Sequence, residues 1–281
     1  MPCPTPCHPL TGHPMAHWYA PLAALFIWWF STGLILWRVR TADNGGPDQH
    51  RLSVIFGLPL LVLGSYGIGA TLDDTTPFGT YVAFLAALAI WGWIELAFLS
   101  GIITGPVKTP CPRSISGWQR FVRAVGTLAW HECLLIGALV TLWFASQDAE
   151  NLFALWTFGV LFFARVSAKL NLFLGVPRIN TEFLPKPLSH LTSYFRHAPM
   201  NGAFPLSITI LTFAVACLLD RLYLAQTPGQ IAGFALLAAL TTLALLEHWF
   251  MVLPLPDQKL WRWMLPAPKP TDSLHEDVHG L

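Results

Sequence analysis

Charge is what this chain has least of. Only 11% of its 281 residues are Asp, Glu, Lys or Arg, against about 25% in a typical soluble domain. Together with 54% hydrophobic residues and a mean hydropathy of +0.53, that shortage excludes a disordered, collagen-like or ordinary soluble chain. A formal net charge of +1 leaves no global basic field for nucleic acid. Cysteine is scarce as well: five residues, too scattered for a disulfide framework. Cys3 and Cys7 could pair, or bind a metal with His8, within a Pro-rich leader. Cys133 and Cys217 fall mid-span and read as small core residues, whereas Cys111 lies in a loop where thiols stay reduced. No Lys or Arg precedes the first apolar run and no small-residue cleavage site accompanies it. That run therefore reads as a retained anchor rather than a signal peptide.

What the chain has is apolar length. A helix needs about 20 mostly apolar residues to cross a bilayer. Seven stretches qualify, at about 17–37, 52–71, 79–103, 120–145, 152–173, 204–225 and 229–252. Six is the alternative, because Arg165, Lys169 and Asn171 interrupt the fifth. The expectation is an all-α, polytopic seven-transmembrane-helix bundle. Basic residues fall almost wholly in alternate loops, while Asp73, Asp74, Asp148 and Glu150 fall in the others. By the positive-inside rule the N-terminus is outside and the C-terminus cytoplasmic. Residues 1–16 read as a disordered leader that a start at Met15 would largely remove, 17–252 as the transmembrane domain and 253–281 as a cytoplasmic polar tail.

Several chemistries are excluded by missing residues. Span seven has no lysine for a retinal Schiff base, and the receptor landmarks D-R-Y and N-P-x-x-Y are absent. His275-Glu276-Asp277-Val278-His279 matches H-E-x-x-H, but it lies two residues from the C-terminus behind a Pro-rich run, which fits a polar tail better than a zinc helix. The E-x-x-H spacing of di-iron bundles occurs in no span.

Ionisable residues at bilayer depth are expensive and usually mark function. Here they are Glu95, His131, Glu132, Arg165, Lys169, Glu247 and His248. At a rise of about 1.5 Å per residue, all fall between the midplane and the cytoplasmic face. Three readings remain open. The Glu residues could pair structurally with Arg165 and Lys169, one turn apart. Glu and His could hold a metal or redox centre. His131 or His248 could serve a tetrapyrrole or quinone among the aromatics. Trp93-Ile94-Glu95 and Trp130-His131-Glu132 share W-x-E, a faint echo of a transporter's inverted repeat.

Between spans five and six, five prolines punctuate a long polar loop. Leu188, Leu191 and Phe195 recur within it at i, i+3, i+7, which predicts a short amphipathic helix on the cytoplasmic leaflet. Arg178, Asn180, Glu182, His190, Tyr194 and Arg196 are the candidate partner-docking residues of this loop.

FIWWFSTGLI (26–35), WGWIELAFLSGIITGP (91–106) with TPCP (109–112), the His131-Glu132 pair, SAKLNLFLGVPRINTEFLPKPLSHLTSYF (167–195) and PMNGAFPLSIT (199–209) closely resemble the photosynthetic complex assembly protein 2 family, also called PuhE, of purple phototrophic bacteria. The resemblance covers about residues 17–210. It implies a bacterial inner (intracytoplasmic) membrane protein, in contact with the lipid bilayer. Its role would be in building the reaction centre and light-harvesting complex, or in supplying bacteriochlorophyll or a precursor as ligand. The implied partners are those complexes' subunits or pigment-biosynthesis enzymes. The alternatives are a metal- or quinone-dependent enzyme of bacteriochlorophyll biosynthesis and a small-molecule transporter. Family members often have His before the Glu of the W-G-W-x-E segment; Ile94 stands there, which weakens a metal site on span three.

Overall fold

The computed structural model describes residues 16–46 and 48–254. Its helices are α1 (Ala16–Asp43), α2 (Gln49–Thr71), α3 (Pro77–Leu99), α4 (Gly117–Ala145), α5 (Phe153–Leu174), α6 (Ala203–Leu224) and α7 (Pro228–Phe250), with 3-10 helices at Thr181–Phe183 and Lys186–Tyr194. Among the described residues there is no strand, only an isolated parallel bridge between Val176 and His197. Seven of these helices are long and apolar enough to cross a membrane, which fits a seven-span bundle. The leader, the tail and the His275–His279 match lie outside the described residues, apart from the few that reach into 16 and 253–254.

α3 and α7 form the centre. Their apolar spans are 56% and 61% buried, against 11% for α6. α2 lies close on α3 because Gly57, Gly64 and Gly67 face it. A Cβ on Gly64 would stand 2.8 Å from the Ala86 carbonyl oxygen, so the small residues set the interhelical distance. Trp93 of α3 donates its indole N–H to the Val54 carbonyl of α2 at 3.1 Å. α7 packs through Ala235, Leu236 and Leu240 against Ala20, Ala24 and Phe84.

Several sequence expectations change here. α5 runs unbroken through Arg165, Lys169 and Asn171, because each of these side chains turns to partners on other helices; the six-span alternative falls with it. α3 stops at Leu99 rather than 103, and the following segment runs along α4. There Val107 N–H donates to the Gly126 carbonyl at 3.1 Å and His131 N–H to the Thr104 carbonyl at 3.0 Å. α4 starts at Gly117, three residues earlier than expected, on a capping box in which Ser116 and Gln119 exchange side-chain and backbone bonds. Cys133 and Cys217 are exposed on the outer faces of α4 and α6, so they are not core residues.

The loop helix forms as 3-10, and that changes its periodicity. With three residues per turn, Leu188, Leu191 and Tyr194 share the buried face, and Phe195 becomes the C-cap. That face packs on Phe98, Leu99 and Leu128. The segment is tied down by Arg120, which donates to the Tyr194 carbonyl, by Tyr194 Oη on the Thr109 carbonyl at 3.1 Å and by Ser193 Oγ on the Cys111 amide at 2.8 Å.

Candidate functional site

The intramembrane ionisable residues are brought together by four helices. On α5, Arg165 and Lys169 are one turn apart and face inward. Arg165 Nη2 reaches Glu95 Oε2 of α3 at 3.3 Å. Lys169 Nζ reaches Glu132 Oε1 of α4 at 2.5 Å, and lies 5.7 Å from the centre of the Phe98 ring. Two of the three expected carboxylate pairings therefore exist. The third does not: Glu247 Oε1 of α7 accepts instead from the indole N–H of Trp28 on α1 at 3.0 Å, while staying within electrostatic reach of Arg165.

His131 stands beside this cluster. It is fully buried, and its ring lies 4.3 Å from that of Phe98. Its Nε2 is 3.9 Å from Glu95 Oε1, beyond hydrogen-bond reach. Both ring nitrogens, Glu95 Oε1 and Arg165 Nε lack hydrogen-bond partners. Unpaired polar atoms at such depth are costly, which makes this corner the least satisfied part of the core.

His248 belongs to a different network. Its Nδ1 lies 2.8 Å from the Ala244 carbonyl, which can only accept, so Nδ1 carries the proton. In the neutral ring Nε2 then accepts from Ser167 Oγ at 2.9 Å. The chain continues along α5. Asn171, fully buried, donates to the Ser167 carbonyl at 3.0 Å and to Ser207 Oγ of α6 at 2.9 Å. It also accepts from Asn201 Nδ2 at 3.0 Å. Asn201 Oδ1 in turn accepts from the Ala203 and Phe204 amides at the start of α6. An axial bond from His248 to a tetrapyrrole metal would require breaking the Ser167 contact.

Trp28, Ser167, Asn201 and Ser207 were not among the residues the sequence singled out. An indole N–H at membrane depth needs an acceptor, and that demand is the signal that would have pointed to Trp28. The others follow only from the meeting of α5 with α6. Among the described residues no three His, Cys, Asp or Glu side chains group closely enough to hold a metal ion.

The loop candidates scatter. Tyr194 is buried and points inward, and Glu182 offers its carbonyl to Arg40. Arg178 N–H donates to the Met251 carbonyl at 3.1 Å. Glu182 and Arg196 are exposed, while Asn180 is half-buried. His190 is half-buried; burial, together with the nearby Lys108 charge, holds its imidazole below the usual histidine range.

The fold and site define a multi-pass helical membrane protein with a charge-paired core. The family model that matches residues 15–272 is described as a protein of unknown function, DUF3623, and the chain belongs to that family. A relative from Rhodobacter capsulatus, described as an uncharacterized 30.4 kDa protein in the puhA 5' region, is 58% identical over 264 residues, which is 94% of this chain and 96% of the relative. No solved structure matches the chain.

Proposed function

We propose that the protein is a non-enzymatic assembly factor for a photosynthetic reaction centre and light-harvesting complex, acting in the bacterial inner membrane by scaffolding subunits or handling bacteriochlorophyll. The observation that carries the non-enzymatic form is the pairing of Glu95 with Arg165 and Glu132 with Lys169. These two pairs tie α3 and α4 to α5 and leave, among the described residues, no convergent set of free carboxylates for chemistry. The photosynthetic assignment draws support from the sequence resemblance and from the relative's place in the puhA 5' region.

In this reading the end bearing the basic loops faces the cytoplasm, with the N-terminus on the other side. Asp43 and the 3-10 helix meet there: the Lys186 amide reaches Asp43 Oδ1 at 3.2 Å and Lys186 Nζ the Asp43 carbonyl at 2.7 Å. The 175–203 loop is the docking surface for subunits, with Arg196 and His190 at its open face.

The test is purification of the tagged protein in mild detergent from phototrophically grown cells, followed by identification of co-purifying subunits and a visible to near-infrared spectrum. Reaction-centre or light-harvesting subunits should come down with it, and Arg196→Glu should release them. Purification with neither kind of subunit and no pigment band would overturn the reading.

A further inference from the structure

The stretches 96–131 and 183–219 contain no Asp or Glu, yet they carry Lys108, Arg113, Arg120, Arg123, Lys186 and Arg196. Folding lays them side by side. Tyr194 Oη donates to the Thr109 carbonyl at 3.1 Å, and the Cys111 amide donates to Ser193 Oγ at 2.8 Å. Some of these cations are committed. Lys186 Nζ reaches the Asp43 carbonyl, and Arg120 donates to the Phe173 and Tyr194 carbonyls while lying over the Phe173 ring. Arg196 belongs to the open face of the loop described above. Lys108, Arg113 and Arg123 remain. Lys108 and Arg113 are exposed. Arg123 is half-buried and donates from Nη2 to Thr109 Oγ1 at 3.0 Å, a neutral hydroxyl that leaves its charge uncompensated. Among the described residues none of the three takes part in an ion pair, unlike Arg165 and Lys169 deeper in the bundle.

α4 sets the depth of this patch. Its 29 residues make a helix about 43 Å long, roughly 13 Å more than a bilayer's hydrocarbon core. Its ends therefore reach the headgroup layer. Trp118, in the first turn, is 72% exposed and stacks on Phe121, an indole placed as at a membrane interface. Val122 and Val125 are exposed and continue that face as a lipid-facing stripe. Arg123, next to Val122, stands about 9 Å from the start of α4, where headgroups meet acyl chains.

We propose that Lys108, Arg113 and Arg123 bind the phosphate of an anionic phospholipid of the protein's own bilayer, its acyl chains lying along Trp118, Val122 and Val125. A phosphodiester accepts from guanidinium and ammonium groups alike and supplies the negative charge that both stretches lack. Basic pockets at the ends of spanning helices suit such headgroups. An acidic loop of a soluble partner would meet Lys108 and Arg113, but Arg123 lies at a depth that a lipid reaches and a soluble loop does not. The inference goes beyond the assembly role and needs neither a partner subunit nor a pigment.

The test is native mass spectrometry of the full chain released from detergent micelles that hold equal amounts of phosphatidylglycerol and phosphatidylcholine. Phosphatidylglycerol should be retained in clear preference. Lys108→Gln combined with Arg113→Gln, both at exposed positions, should cut that preference about tenfold or more, since each basic residue near an anionic surface is worth roughly fivefold. Arg123→Gln should lower it further. Arg51→Gln, at an exposed cation of α2, should leave it unchanged. Equal retention of the two lipids would overturn the inference, as would a preference that survives in the Lys108 and Arg113 variant or falls as far in Arg51→Gln. Subunits that co-purify with the native chain and are lost from the Lys108 and Arg113 variant, without any lipid preference, would overturn it by assigning the patch to a protein.

Discussion

Lys169 Nζ of α5 and Glu132 Oε1 of α4 are 2.5 Å apart, with 19% and 22% of their side-chain surfaces accessible. The pair ties α4, otherwise largely exposed along its length, to the bundle. Removing one partner strands the other charge in a low-dielectric setting.

Glu132→Ala should therefore destabilise the protein by about 3 kcal/mol, the low end for a buried pair because both side chains are partly accessible. The double exchange Glu132→Lys with Lys169→Glu should recover most of that loss. Thermal unfolding in detergent would check both; an unchanged midpoint for Glu132→Ala would show that the pair contributes nothing.

Asn171 joins α5 to α6 through Ser207 and Asn201. Asn171→Ala leaves those two partners short of bonds inside the bundle. The expected loss is about 2 kcal/mol, and trypsin or thermolysin should cut the α5–α6 loop faster in the variant. Asn171→Asp should fare no better, since a carboxylate cannot donate to the Ser167 carbonyl.

Both polar networks show how far the sequence could be read. Arg165 and Lys169 one turn apart implied inward-facing cations, and carboxylate partners at matching depth followed from span direction and rise. Asn171 looked like a flaw in span five, because its partners Asn201 and Ser207 lie about 30 residues away and meet it only when α6 packs. The same holds for Glu247: an arginine and an indole both compete for it, and only the placement of α1 beside α7 decides for Trp28.

His190 sits half-buried on the 3-10 helix with its pKa lowered from 6.5 by burial, against a carbonyl bond from Pro187 that raises it, and with Lys108 lowering it further. A depressed histidine pKa means the unfolded segment binds a proton more readily. The docking of Lys186–Tyr194 is thus at full strength above about pH 6.5 and weakens as pH falls through the lower folded value. The protection factors of the amides at 188–195, exchange rates taken relative to the intrinsic rate at each pH, should fall at pH 5 relative to pH 7.5, and His190→Phe should flatten that dependence.

Gly105 lies so close to α4 that a Cβ would stand 2.1 Å from the Gly126 carbonyl oxygen and 2.9 Å from the Ala129 nitrogen. Both are backbone atoms of a helix and cannot yield. Gly105→Ala should push the 101–107 segment off α4 and break the Thr104–His131 backbone bond, lowering stability by about 2 kcal/mol or more. Gly137→Ala, with nothing near its added Cβ, is the control and should be neutral.

The membrane class, the seven helices and the set of inward-facing ionisable residues could all be read from the order of residues along the chain. Each follows from local cost: apolar length must match the bilayer, and a charge within it must face inward. Helix ends escaped it wherever a cap or an extended segment against a neighbour decided them, as at Leu99 and Ser116. Tertiary structure alone decided which charges pair, that His248 is saturated while His131 is not, and that the loop helix winds as 3-10 onto Phe98. Those choices depend on which helix faces which, and an apolar stripe that satisfies lipid and protein equally well carries no record of its neighbour.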